Sequence, residues 1–265
     1  MENQNKTIGQ GNINTSVVRA FDILELLNTC GYPLTVADIC RELSLNRITC
    51  NNLVKTLISK KYLYKNDSGK ICLTGKVYVM GQIFKEGFPI IEMFNTLAAE
   101  ITKQYNCASH LVTFAGLNQG ILLAQVPSVS IYANTLHLYV PLYCTGAGKV
   151  LLAHQPQKNA DTMVSSLELT PLTDQTITSK EVLKKELIKI KESGYGIDNC
   201  EYMPGLYCVS APVFNMDGSV NTAVSLTNLI INDELRIEHY IQPIQQLAQT
   251  LSQVSGYKKM RLDLL

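Results

Sequence analysis

The stretch from Ser16 to Gly75 constrains the chain most. It holds three runs of helical apolar periodicity, divided by tight breaks, and then a run of period two. In SVVRAFDILELL, Val18, Phe21, Ile23, Leu24, Leu26 and Leu27 fall mostly on one stripe, Thr15 or Ser16 is the expected N-cap, and Gly31-Tyr32-Pro33 stops the helix. LTVADICREL opens on Thr35 with Asp38 three residues on, the spacing of a capping box, and offers Val36, Ile39, Cys40 and Leu43 as its buried face. Ser44-Leu45-Asn46 makes a turn. A third helix is expected from Arg47 to Lys60, with Ile48, Leu53, Val54, Leu57 and Ile58 inward. Two short helices joined by a tight turn behind a longer one form a helix-turn-helix. YLYKNDSGKICLTG then alternates, breaks at Asn66-Asp67-Ser68-Gly69 and alternates again, which predicts a hairpin, the wing of a winged helix.

The third helix would present Arg47, Thr49, Asn51, Asn52, Lys55 and Thr56 outward. An α-helix fits the major groove of B-DNA, where Arg pairs with guanine, Asn with adenine, and Thr with a base edge or a thymine methyl. Lys60, Lys61, Lys65 and Lys70, with Lys55, suit phosphates, and Arg19 is placed to reach the backbone. Charge agrees in sign. Residues 1–85 carry 11 Lys+Arg against 6 Asp+Glu, whereas residues 86–265 carry 12 against 16. A basic first part before an acidic second suits a polyanion at the first only.

Composition closes off other classes. Hydrophobic residues make up 46% of 265 and charged residues 17%, enough apolar material for real cores and too little charge for long disordered tails. The polar start has no apolar signal region, and no run approaches the ~18 apolar residues of a membrane span. The expectation is a cytoplasmic protein with no membrane partner. Eight cysteines at 30, 40, 50, 72, 107, 144, 200 and 208 form no CxxC pair, which argues for reduced thiols and against a disulfide framework or a zinc ribbon.

Residues 76–85 read as a linker helix ending near Gly87-Phe88-Pro89, after which the pattern changes. Helices are expected over 91–105, 145–154, 179–193 and 233–255, and strands over 109–115, 120–126 and 130–136 and in YGIDN, LYCVSAPVFN and VNTAVSLTNL, with Asp217-Gly218 turning between the last two. The fold class is therefore α+β, an antiparallel sheet flanked by helices behind an N-terminal winged helix-turn-helix. The expected divisions are 1–75, the linker helix 76–89, and 90–265.

Three polar clusters stand out in the second part. Thr145-Gly146-Ala147-Gly148 leads straight into a helix, whose free N–H groups suit an anion. Asp198 ends one strand. Cys208 and Ser210 share a face of the next, as do Ser225 and Thr227 of the last, with apolar residues opposite. Such a face can line a pocket or meet solvent, and spacing alone leaves both open.

Nearly the whole chain, from about Ser16 to Ser255, resembles the IclR family of transcriptional regulators. SVVRAFDILELL with LTVADICRELSLNRITCNNLVKTL is similar to the family's winged-helix register, and VPLYCTGAGKVLLA to its P-L-H-x-T-x-x-G-K-x-L-L-A segment. SGYGIDNCEYMPGLYCVSAPVFNMDGSV resembles the longer pattern R-G-Y-x-x-D-x-E-E-x-x-x-G-x-x-C-x-A-x-P. The resemblance implies a GAF-like effector domain, a homodimer or homotetramer on a double-stranded DNA operator, no cofactor, and a regulator taken to be a repressor switched by a small carboxylate or aromatic acid. It implies effector contacts at Val140, Gly146, Ala147, Asp198, Leu206, Cys208, Ser225 and Thr227. The sequence departs from the family pattern at Tyr143 (a family His), at His137 (a family Gly) and at Asn52 (often Arg).

Two other classes compete. A hydrolase-like reading takes Cys208 as nucleophile, His110 or His154 as base and Asp198 as orienter, but none of the four histidines sits in a catalytic motif. A metal-sensing reading takes Cys144, Cys200, Cys208 and His137, whose spacing fits no common zinc pattern.

Overall fold

Asn14 opens the first helix. Its side chain accepts from the Ser16 and Val17 N–H groups, so α1 (Thr15–Cys30) begins one residue after it, and the cap is neither Thr15 nor Ser16. Gly31, at φ 68°, returns its N–H to the Leu27 carbonyl and ends the helix. Thr35 and Asp38 form the expected capping box on α2 (Val36–Glu42). Asn46 caps α3 (Arg47–Ser59) through the Thr49 N–H. The computed structural model describes residues 13–86, 89–116, 118–128, 139–229 and 237–256, and the chain divides into two units, Met1–Gly87 and Phe88–Leu265.

The first unit closes over Ile23, Leu27, Leu34, Ile39, Cys50, Val54, Leu57, Leu63 and Ile71. Two inward assignments on α1 and one on α3 are corrected. Val18 and Phe21 are exposed, the latter at 58%, because the buried stripe of α1 runs through Ile23 and Leu27. Ile48 is 76% exposed because Cys50, Val54 and Leu57 set the stripe of α3, and Ile48 lies about 200° round the helix from Cys50. The wing is the hairpin β1 (Leu63–Lys65) and β2 (Ile71–Leu73), turned at Gly69, with Leu34 bridged to Ile71. Helix α4 (Gly75–Glu86) follows.

The second unit is a six-stranded antiparallel sheet with helices on both faces. Its strands are β3 (Ala108–Ala115), β4 (Gln119–Val126), β5 (Tyr139–Pro141), β6 (Gly196–Asn199), β7 (Leu206–Phe214) and β8 (Val220–Leu229), in the order β5-β4-β3-β8-β7-β6. One face packs Leu111, Val209, Ala211, Val224 and Leu226 against α5 (Ile90–Tyr105) and α9 (Glu238–Val254). On the other lie α6 (Gly146–Ala153), α7 (Gln157–Ser166) and α8 (Lys180–Ser193). Helix α7 has no counterpart in the sequence reading, because QKNADTMVSS buries only Ala160, Met163 and Val164. The strand expected over 130–136 and His137 lie outside the described residues. Asp217-Gly218 makes the expected turn, with Gly218 at φ 81°. Among the described residues no helix is long and apolar enough to cross a membrane.

Candidate functional site

Two polar faces were candidates from sequence. The first is on α3. Arg47, Asn52, Lys55 and Thr56 are exposed there, and Thr49 and Asn51 are half-buried. The Asn51 amide donates to the Arg47 carbonyl at 2.9 Å and the Thr56 hydroxyl to that of Asn52 at 2.8 Å. Ile48 joins this outer surface, a residue the sequence reading had placed in the core. Lys60, Lys61, Lys65 and Lys70 are exposed at the end of α3 and on the wing, and Arg19 is half-buried on α1.

The second face is built by strand register. Gly196, Ser210, Ser225 and His110 are successive cross-strand neighbours, as are Asp198, Cys208 and Thr227. Neighbouring residues in one strand point to opposite faces. The polar set therefore turns towards α6 while Leu111, Val209, Val224 and Leu226 turn away. All six polar side chains of the set are buried, Cys208 among them. The solvent alternative is thereby removed, and the cost of burying polarity must be met.

Helix α6 is pressed against this face and every residue of it is buried. A Cβ on Gly146 would stand 2.6 Å from the Ser210 Oγ, and one on Gly148 2.5 Å from the Leu142 Cα. Gly146 is thus needed first for packing α6 on the sheet, and Gly148 for packing it on the turn that leads into it. Thr145 caps α6 through the Gly148 N–H and donates its hydroxyl to the Pro141 carbonyl. The N–H groups of Gly146 and Ala147 begin the helix beside a cavity. It is lined by His110, Val112, Val140, Gly146, Asp198 and Cys208, with Leu122, Thr145, Ala147, Tyr202 and Ser225 completing it, and its volume is about 20 Å³, little more than room for one water, so a larger occupant must widen it.

The polar atoms around it are unevenly satisfied. Asp198 Oδ1 accepts from the Glu201 and Tyr202 N–H groups at 2.8 and 3.3 Å, while its Oδ2 has no partner. His110 Nε2 is likewise buried and unpartnered, as is Ser210 Oγ, which lies against Gly146 and is not part of the lining. Desolvation by burial lifts Asp198 to about 7, against the pull of its two backbone donors. Burial lowers His110 to about 3, so the ring is neutral. Lys149, only 1% exposed, is ion-paired with Glu201 and lies 3.8 Å from Glu186. Desolvation raises Glu201 in spite of that pair.

Of the residues expected to contact an effector, Val140, Gly146, Ala147, Asp198, Cys208 and Ser225 line this cavity. Leu206 is buried away from it. Thr227 stands behind it, 3.1 Å from His110 Nδ1 and 2.8 Å from Cys208 Sγ. The sequence reading missed Val112, Leu122, Thr145 and Tyr202 as lining residues. It noticed His110 only as a candidate base. Nothing in the segment SHLVTFA marks that ring; only the register with Ser225 does. Tyr143 is buried and donates its hydroxyl to the Thr170 carbonyl at 2.7 Å, outside the lining.

The nucleophile constellation does not assemble. Thr227 stands between Cys208 and His110, and burial pushes the Cys208 thiol far up while leaving His110 a poor base. His154 is bound to the Val150 carbonyl and packs edge-on against Phe214. Among the described residues no group of three His, Cys, Asp or Glu could hold a metal ion.

A helix-turn-helix followed by this sheet, with α6 wedged on its polar face, invites comparison with known proteins. The family profile described as IclR helix-turn-helix domain matches residues 16–67, and that described as bacterial transcriptional regulator IclR C-terminal matches residues 86–253. The chain belongs to the IclR family. It is thus a helix-turn-helix transcriptional regulator by descent. The IclR relative XynR of Escherichia coli, an HTH-type transcriptional regulator, is 28% identical over 91% of this chain and 97% of its own. The Thermotoga maritima IclR crystal structure superposes with a TM-score of 0.73 at 26% identity, covering 91% of this chain and 99% of that one. An IclR homolog from Microbacterium hydrocarbonoxydans, crystallised with 4-hydroxybenzoate, shares the fold with a TM-score of 0.80 at 17% identity, covering 91% and 99%.

Proposed function

We propose that this IclR-family chain binds operator DNA through α3 and the wing, and that a small organic acid in the cavity beneath α6 switches that binding. Arg47, Asn52, Lys55 and Thr56 read or grip the major groove, with Thr49 and Asn51 behind them and Ile48 against a thymine methyl. Arg19 and the wing lysines hold phosphates. The acid's carboxylate takes the Gly146 and Ala147 N–H groups, a use of helix N-termini that needs no side-chain charge. Val140 and Cys208 wall the site, Asp198 and Ser225 orient the ligand, and Leu206 and Thr227 support them from behind. The protein works as a homodimer or homotetramer in the cytoplasm, where its DNA lies. The exposed apolar strip Val17, Val18 and Phe21 on α1 supports a second copy. Residues 1–75 form the DNA-binding part, 76–89 the linker helix and 90–265 the effector-binding part.

The observation that carries the effector reading is the pair of buried, unpartnered polar atoms, on His110 and Asp198, at one cavity. Buried polar groups are nearly always paired, so such a cluster marks a place where a partner is supplied from outside. Selection of duplexes from a random pool by the purified full chain, followed by anisotropy titration at ~150 mM salt, tests the DNA half. The expected result is a preferred duplex bound about a thousandfold more tightly than random DNA, with affinity falling steeply as salt rises. Equal affinity for selected and random duplexes would overturn it.

A further inference from the structure

Resting on that pocket reading, we propose that His110 is its specificity residue: the ring N–H at Nε2 donates to a hydroxyl of the effector, which is therefore a hydroxy acid. The argument begins with the ring's protonation. His110 is 1% exposed on β3 and carries no acidic partner. A neutral imidazole has one N–H, on Nδ1 or Nε2. Nδ1 lies 3.1 Å from the Thr227 Oγ1 and 3.5 Å from the Ser225 Oγ, and the Thr227 Oγ1 lies 2.8 Å from the Cys208 Sγ. A hydroxyl is a good donor and sulfur a poor acceptor. The Thr227 hydroxyl therefore donates to Nδ1, and the Cys208 thiol donates to the Thr227 oxygen. That chain leaves the ring proton on Nε2.

Nε2 has no partner and its ring lines the cavity. The missing group is thus an acceptor. Asp198 Oδ2, on the same cavity, is unpartnered too, and in the ionised form reached above about pH 7 it needs a donor. A second carboxylate on the ligand would answer His110 but add charge beside Asp198 in a dry space. A keto oxygen would answer His110 and leave an ionised Asp198 without a donor. A hydroxyl accepts and donates, so it serves this wall of the cavity without burying another charge. The ligand's carboxylate end keeps to the Gly146 and Ala147 N–H groups.

The test is calorimetric titration of the full chain with three matched pairs: propanoate and 2-hydroxypropanoate, butanoate and 4-hydroxybutanoate, benzoate and 4-hydroxybenzoate. In at least one pair the hydroxy member should bind tighter by on the order of tenfold to a hundredfold. His110→Leu should erase that preference, and His110→Gln, which keeps an amide donor, should restore part of it. A preference that survives in His110→Leu, or plain acids that bind as well as every hydroxy partner, would overturn the role of His110 and leave the carboxylate site standing. Failure of all six acids to bind would overturn the pocket reading and this inference with it. A second readout covers a His110→Leu that does not fold. Nitrogen NMR of the histidine-labelled wild type should show Nε2 protonated, and the ring protonated at Nδ1 instead would refute the inference.

Discussion

The polar face of α3 and the polar face of the sheet are made of similar residues and meet opposite fates. Asn52, Lys55 and Thr56 stand in water, where their polarity costs nothing and specifies nothing about the fold. His110, Asp198, Ser210 and Ser225 are sealed under α6, where each unpartnered group costs about 1–3 kcal/mol. The exposed face is informative only through its shape and its likeness to a known motif. The buried face is informative by itself, since a protein keeps such a cost where something relieves it.

This contrast can be attacked first at the wedge. Gly148→Ala puts a Cβ against the Leu142 backbone, so it should cost about 3 kcal/mol or more in thermal unfolding, or prevent folding. Gly81→Ala, in the open part of α4, should gain about 1 kcal/mol. Equal effects would mean that α6 is not held as tightly as its burial indicates.

The second line of attack is pH. Asp198 has its folded value raised to about 7, so the stability it contributes is full below its unfolded value and is lost as pH rises towards 7. His110 has its folded value lowered to about 3, so its contribution is present above its unfolded value of 6.5 and is lost as pH falls towards 3. Between pH 4 and 6.5 the two slopes oppose each other. Tm measured from pH 4.5 to 7.5 should be nearly flat in the wild type as far as these two groups go. Asp198→Asn should then lose stability on acidification and His110→Gln on alkalinisation, each by about 1–3 kcal/mol across the window. Parallel profiles in the two variants would contradict the burial of one of them.

The smallest effects belong to α3. Asn52→Ala and Lys55→Ala should leave unfolding free energy within about 0.5 kcal/mol, because neither side chain packs in the core. Their effect should fall on DNA instead: Asn52→Ala relaxes the preference at one base position, and Lys55→Ala weakens selected and random duplexes alike. A large stability loss in either would show that this face serves the fold.

What could be read from sequence follows the same divide. Local signals carried the helix-turn-helix, since the Thr35–Asp38 box, the turn before Arg47 and the break at Asn66–Gly69 each act within a few residues. They failed where a stripe had to be phased. Ile48 and Phe21 look like core residues until Cys50, Val54, Ile23 and Leu27 are seen to take the inward positions. In the second unit, the two-residue spacing of Cys208 with Ser210 and of Ser225 with Thr227 placed each pair on one face but could not say that the face was covered. His110 entered the site through pairing with a strand more than a hundred residues away. Gly146 was read as the start of an anion-binding helix, although the close approach of Ser210 already demands a glycine there. The buried pair of Lys149 and Glu201 had no signature, as its partners lie 52 residues apart.

Affinity for the selected duplex, measured with and without whichever acid raises Tm most, tests the whole account. In the wild type the acid should change that affinity by at least about fivefold in one direction. In the double variant Ser225→Ala with Thr227→Val the duplex should bind as before and the acid should change its affinity much less than in the wild type. An unchanged affinity in the wild type, or a full response in the double variant, would contradict a regulator switched from this cavity.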